Sequence, residues 1–235
     1  MAVLDFFVVN VAIPDLQRDL NASSAQIQPI VAGYALAYGS VLIVGSRLGD
    51  IYGRRRMFVS GLALFTISSA ACGLAPNAAV VVFARGAQGV SAALLSPQIL
   101  AILSSAYQAT AKARALNAYG LCMGLASVFG QVFGGLLIHV DLFGGDWRSC
   151  FLINLPIGLV AIALALRIVP ESSAPMRPRL DLTGMFVISL ALLAATMPLI
   201  EGREQGWPFW SWLSLAAAAI LLVLFVVHEN RVKIA

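Results

Sequence analysis

Eight apolar runs divide the 235-residue chain, at about residues 1–14, 25–45, 57–75, 79–104, 115–138, 148–169, 184–200 and 209–227, with polar breaks between them. A bilayer core of about 30 Å needs roughly 20 helical residues. Most runs meet that length. They do not alternate apolar and polar positions, as the strands of a membrane barrel must. The pattern therefore predicts transmembrane helices and an all-α polytopic membrane protein. The first run is short: a helix from Met1 to Pro14 spans only about 21 Å. Either the true start lies upstream or the chain is a fragment. The run has no basic n-region and no small-residue cleavage site, so it predicts a membrane helix rather than a signal peptide.

Composition agrees with lipid as the solvent. The chain is 60% hydrophobic and 11% charged, against roughly 25% charged in soluble domains. The net charge of +4 is spread over separate short loops, so no nucleic-acid partner is expected. Cys72, Cys122 and Cys150 lie inside apolar runs without metal-type spacing and read as small packing residues.

The polar breaks orient the helices. Breaks 46–56, 105–114 and 170–183 and tail 228–235 fall on one side. With Arg167 at a helix end, that side holds Arg47, Arg54, Arg55, Arg56, Lys112, Arg114, Arg177, Arg179, Arg231 and Lys233 as well. These are eleven of the 15 basic residues. The other side holds Arg18, Arg148 and Arg203, and Arg85 lies within the fourth run. Lys and Arg accumulate on the cytoplasmic side, so the basic side and the N-terminus are predicted inside. Trp147, Trp207, Trp210 and Trp212 then fall at the outer boundary, where interfacial tryptophans belong.

Four groups of residues stand out. Asp5 lies in an apolar run about 14 Å along a helix from Pro14, near mid-membrane. An ionised carboxylate there costs several kcal/mol and should face a cavity or a partner, which suits a group that binds and releases a proton. Alternatively, if Met1 is the true start, Asp5 sits at the inner headgroup level. Arg85 stays charged, so it either tunes a nearby carboxylate, binds substrate, or snorkels to the outer interface. In the fifth run Gly120/Gly124 and Gly130/Gly134 are each four apart, with Gly135 beside them. Such spacing gives tight helix packing, or a bend or sliding surface that repacks during a transport cycle. In Ser46–Arg56, Asp50 at the end of a helix opposes the helix dipole. It is better placed near Arg54 or another helix N-terminus, and with Gly53 and Arg54 it reads as a latch between helix ends. No Gly-rich phosphate loop, paired metal ligands or Ser/His dyad accompanies these groups, so an enzyme is not expected.

Together these residues resemble the major facilitator superfamily, in particular its fourteen-helix drug:proton antiporters. Leu4-Asp5 through Asn10-Val11-Ala12 and Pro14 are similar to the family's first-helix motif. Residues 46–56 resemble its signature loop, and Arg85-Gly86-Ala87-Gln88-Gly89 with Ala92 and Ala93 its helix-4 motif. Trp147-Arg148, Phe151, Ile153-Asn154, Pro156 and Gly158 resemble the element that opens helix 6. Asp181 to Gly184, and His228-Glu229 with Arg231, are similar to the subgroup's inserted helix pair. Ser46 stands where the family has Gly, and Ile51 where it often has Arg. Gly130-Gln131 stands where the antiporter motif has Gly-Pro.

The resemblance implies an N-terminal six-helix bundle of two inverted three-helix repeats over 1–169. A cytoplasmic linker over 170–183 and two additional transmembrane helices with a tail over 184–235 would follow. A C-terminal six-helix half, missing from this chain, would complete the transporter. It further implies proton-coupled efflux of drugs or other lipophilic small molecules by alternating access, driven by the proton gradient without a cofactor. The full-length protein is expected as a monomer in the plasma membrane. Asp5 and Arg85 would couple protons, Asp50, Gly53 and Arg54 would form the inner latch, and Gly130, Gly134 and Gly135 the moving interface. Two alternatives stay open: a facilitator of the same fold for a different metabolite, and a truncated, transport-incompetent membrane protein.

Overall fold

The computed structural model describes residues 1–140, 146–173, 181–202 and 205–234, with the backbone alone for Ser24, Ala25, Leu182 and 231–234. Arg177, Arg179 and Arg203 lie outside the described residues, as does the 174–180 stretch of the linker. The regular elements among the described residues are all helical. They are α1 (Ala2–Asp19), α2 (Ser24–Tyr52), α3 (Arg54–Gly73), α4 (Ala78–Ala106) and α5 (Ala109–Val140), then a 3-10 turn (Asp146–Arg148), α6 (Ser149–Leu152), α7 (Asn154–Ile168), α8 (Leu182–Glu201) and α9 (Phe209–Ile234). Among the described residues seven stretches are long and apolar enough to cross a membrane: α2 to α5, the run Asp146–Ile168, α8 and α9. Helix α1, 18 residues long, is not among them because it carries Asp5, Asp15, Arg18 and Asp19, not because of its length.

The helices outrun the apolar runs. Hydropathy marks the part in lipid, whereas the backbone ladder continues into the headgroup region, where polar side chains are solvated. Residues 46–56 are consequently not a loop. Helix α2 runs on to Tyr52 and α3 begins at Arg54, leaving Gly53 as the joint, with φ +106°. An L side chain rarely adopts that φ. Helix α5 likewise starts at Ala109 rather than near 115. Helix α1 continues past Pro14 to Asp19, because proline removes one backbone donor without ending the turn. The sixth run is broken at Ile153. Pro156 has no N–H for the Leu152 carbonyl, and the break turns Asn154 into the core.

Close backbone approach holds the bundle together. Gly89 of α4 lies against the Tyr34 carbonyl of α2, where a Cβ would collide with it. Val8, Val9, Ala12 and Leu16 of α1 pack with Ile30, Val81, Trp147 and Phe151 in one core. Tyr34, Phe65, Ala92 and Leu95 form a second. Helices α8 and α9 pair with each other, and α8 lies along α2. The large apolar side chains of α5, α7 and α9 point outward, including Val128, Phe129, Leu159, Leu164 and Leu222. Such faces suit lipid or a further helical partner.

Candidate functional site: a buried ion pair and a charged helix joint

Asp5 and Arg85 come from helices 80 residues apart in sequence and meet in the core. Arg85 Nη1 donates to Asp5 Oδ2 at 2.6 Å, and the two residues are 0% and 1% exposed. Arg85 does not snorkel to the outer interface. Its Nη1 also donates to Gln88 Oε1 at 2.8 Å, its Nε donates to the Ile30 carbonyl at 3.2 Å, and its guanidinium lies 4.4 Å from the Tyr34 ring centre. A buried cation held by an opposite charge, a carbonyl and an aromatic face is the arrangement that makes its burial tolerable.

Three more side chains complete the cluster. Gln88 Nε2 and Asn154 Nδ2 donate to Asp5 Oδ1 at 3.0 and 2.8 Å. Both also donate to Ser69 Oγ, at 3.2 and 2.9 Å, and Ser69 donates to the Phe151 carbonyl at 3.0 Å. The cluster therefore joins α1, α3, α4 and α7. Gln88 and Asn154 enter the sequence reading only as motif members. Ser69 does not enter it, since a serine in an apolar helix reads as an ordinary small packing residue. The i,i+3 spacing of Arg85 and Gln88, which puts them on one helix face, is the usable signal.

The second cluster surrounds Gly53. Arg54 Nη2 meets Asp50 Oδ1 at 3.0 Å, and Arg54 Nη1 donates to the Ala101 carbonyl of α4 at 3.4 Å. Asp50, Gly53 and Arg54 thus stand together where α2, α3 and α4 converge. The α3 N-terminus is occupied by another acid. Glu171, just beyond α7, accepts from the backbone N–H of Arg55 at 3.0 Å and of Arg56 at 3.2 Å. The Ser172 carbonyl accepts from Arg54 N at 2.8 Å. A carboxylate at a helix N-terminus satisfies orphan donors and complements the dipole. A Cβ at Gly53 would lie 2.7 Å from Glu171 Oε1, so this glycine is required by both its φ and its neighbour. In the sequence Glu171 falls within the 170–183 linker and carries no signal of this role.

Gly130 and Gly134 are the buried residues of α5, and both face α1. A Cβ at Gly130 would be 3.0 Å from Phe7 Cβ, and one at Gly134 would be 3.4 Å from the Val8 carbonyl. Gly135 sits looser, 3.9 Å from Val11 Cγ1, while Gly120 and Gly124 have nothing within 4 Å. The two glycine pairs therefore serve different surfaces.

Charged contacts mark both ends of the bundle. At the α3 joint end, Arg47 pairs with Glu229 at 4.0 Å, and His228 Nε2 lies 2.7 Å from Asp181 Oδ2. Asp181 caps α8 by accepting from Gly184 N at 2.9 Å. That bond, with His228 and Thr183 adding to it, holds the Asp181 carboxyl below the usual carboxylate range. At the opposite end Asp19 pairs with Arg148 and accepts from Trp147 Nε1 at 3.0 Å. Those two donors, Arg148 foremost, hold the Asp19 carboxyl low as well.

Comparison with known proteins gives this architecture a family. Residues 1–231 match the family profile described as Major Facilitator Superfamily. The chain is 45% identical over 231 residues to the "Probable actinorhodin transporter" of Streptomyces coelicolor, covering 98% of this chain and 40% of that protein. It is 40% identical over 233 residues to the multidrug resistance protein Stp of Mycobacterium tuberculosis, covering 98% of this chain and 43% of that protein. The chain thus spans less than half the length of these relatives. Among solved structures, a bacterial homolog of the human lysosomal transporter Spinster, inward-facing and occupied, aligns with a TM-score of 0.64 at 19% identity. That alignment covers 94% of this chain and 55% of that one. The profile match over nearly the entire chain, carried by an all-helical bundle with the same architecture, places the chain in the Major Facilitator Superfamily.

Proposed function

We propose that this chain is the N-terminal part of a proton-coupled exporter of lipophilic small molecules, working by alternating access together with a second six-helix half. The observation that carries the reading is the Asp5–Arg85 ion pair, wholly buried where four helices meet. With Asp5 ionised, α1 is held to α4 by opposite charges in a low-dielectric core. Proton uptake by Asp5 removes that attraction and leaves Arg85 unbalanced, so the two protonation states favour different packings of α1. That is the differential stabilisation a coupled conformational change requires. Relatives named for multidrug resistance, puromycin resistance and cephamycin export support drug-like cargo and outward transport.

The inner latch is the Asp50–Gly53–Arg54 joint, with Glu171 as its fourth member. It ties the ends of α2, α3 and α4 and would hold one of the two transport states. The α1–α5 seam at Gly130, Gly134 and Gly135 is the surface that slides when α1 moves. The end carrying Arg47, Arg54, Arg55, Arg56 and Arg167 faces the cytoplasm, with the N-terminus, in the plasma membrane. The energy source is the proton gradient, and the full-length protein is a monomer. A second reading, a facilitator of the same fold for a different metabolite, is favoured by Gly130-Gln131 in place of Gly-Pro.

The test is efflux of a lipophilic cation, tetraphenylphosphonium, from cells making the full-length transporter. Asp5→Asn should abolish gradient-driven efflux while the protein still reaches the membrane. Unchanged efflux would remove Asp5 from the coupling.

A further inference from the structure

The donors and acceptors around Asp5 close on a single hydroxyl. Ser69 of α3 is 0% exposed, and its one hydrogen goes to the Phe151 carbonyl at 3.0 Å. Two lone pairs remain on Oγ, and the nitrogens of Gln88 and Asn154 lie on them at 3.2 and 2.9 Å. Each side-chain amide must therefore turn its NH2 toward Ser69. The second hydrogen of each then falls on Asp5 Oδ1, at 3.0 and 2.8 Å. The same orientation aims the Gln88 carbonyl at Arg85 Nη1. Flipping either amide would set a carbonyl oxygen against both a carboxylate and a hydroxyl with no hydrogen left to give.

The two oxygens of Asp5 are consequently unequal. Oδ1 is filled by two N–H donors, whereas among the described residues Oδ2 accepts from Arg85 Nη1 alone, at 2.6 Å. A proton arriving from water has room at Oδ2. There it forms an O–H bond and cancels the carboxylate charge, and Arg85 keeps its own protons. The ion pair is lost, while the Gln88 and Asn154 N–H groups remain on Oδ1. We propose that Ser69 is a positioning residue of the proton site: by turning both amides onto Oδ1 it leaves Oδ2 for the proton, so that protonation cancels the α1–α4 ion pair while the amide bonds to Oδ1 from Gln88 of α4 and Asn154 of α7 stay in place. This rests on the reading of Asp5 as the proton-carrying group. The titratable and charged groups that act on the same site are Arg85 of α4, Tyr34 of α2, Cys72 of α3 and Cys150 of α6.

The experiment uses the full-length transporter in liposomes and follows tetraphenylphosphonium-driven proton movement across a range of pH. The variants are Ser69→Ala, Ser69→Thr and Asn154→Ala, with Asp5→Asn alongside. Ser69→Ala removes the acceptor that holds both amides on Oδ1, and a weakening equal to one hydrogen bond to the charged form changes proton affinity about ten-fold. Ser69→Ala should therefore move the half-maximal pH upward by about one unit, with the KM for substrate unchanged. Asn154→Ala should move it in the same direction. Ser69→Thr, which keeps the hydroxyl, should restore the parent profile. A Ser69→Ala profile superimposable on the parent's, with coupling abolished by Asp5→Asn, would overturn the role of Ser69 and leave Asp5 standing. Failure of Ser69→Thr to restore the profile would reduce Ser69 to packing. Coupled proton movement surviving in Asp5→Asn would overturn the underlying reading of Asp5. If Ser69→Ala fails to reach the membrane, Ser69→Cys, whose thiol is a weak acceptor, takes its place, and a profile superimposable on the parent's overturns the role of Ser69.

Discussion

The Asp5–Arg85 pair lends itself to a double-mutant cycle. Asp5→Asn leaves a fully buried guanidinium with no counter-charge. Arg85→Met leaves a fully buried carboxylate and removes the three hydrogen bonds to Asp5, Gln88 and the Ile30 carbonyl. Breaking a buried pair from one side typically costs about 3–5 kcal/mol. The double variant carries no unpaired charge, and an amide at position 5 still accepts from Gln88 and Asn154. Its cost should stay under about 2 kcal/mol, since replacing both members of a buried pair is often close to neutral. The coupling energy should therefore exceed about 4 kcal/mol in magnitude. For a chain of this size about 1 kcal/mol shifts Tm by roughly 2–4 °C, so each single variant should melt about 6–20 °C below the parent. Thermal unfolding of the purified protein in detergent reads all four corners of the cycle. Strictly additive single and double effects would refute the reasoning, because they would mean that the two charges do not feel each other.

Other expectations concern the rim and the seam. Glu171→Gln weakens the charged cap of α3 and should cost about 1 kcal/mol, read as faster alkylation of a cysteine placed at position 56. Asp181 and Asp19 both titrate below the usual carboxylate range when folded. Their stabilisation is therefore complete above the unfolded value of about 3.9 and is lost as pH falls through the lower folded value. Melting temperature should drop on acidification from pH 5 to pH 3, and Asp181→Asn should flatten part of that drop. Gly134→Leu should destabilise the bundle by about 1–3 kcal/mol by forcing α5 off α1, whereas Gly124→Leu, in open space, should leave the melting temperature unchanged.

Hydropathy alone located the membrane helices, because burial in lipid demands long apolar runs whatever their packing. It misplaced their ends, since a helix does not stop where its side chains become polar: α2 reaches Tyr52, and the expected loop shrinks to Gly53. Asp5 and Arg85 were legible as costly ions in apolar surroundings. Their pairing rests on contacts between distant segments, which no local spacing encodes. The alternative of a snorkelling Arg85 came from its nearness to a helix end, an argument that ignores which face of α4 it occupies. Ser69 and Glu171 were illegible for a related reason. A small hydroxyl in an apolar helix and a lone acid in a short linker are common, and each gains meaning only from the groups brought to it. The Gly130/Gly134 spacing foretold close packing, but its partner, α1, becomes evident only in three dimensions.

The central claim is that a proton on Asp5 drives the transport cycle. It is tested most directly by imposing an outward tetraphenylphosphonium gradient on liposomes holding the full-length transporter, with no initial pH difference, and recording lumenal pH. The account predicts that protons move inward, opposite to the substrate, and that Asp5→Asn abolishes this movement. Proton movement in the same direction as the substrate, or an unchanged signal from Asp5→Asn, would contradict it.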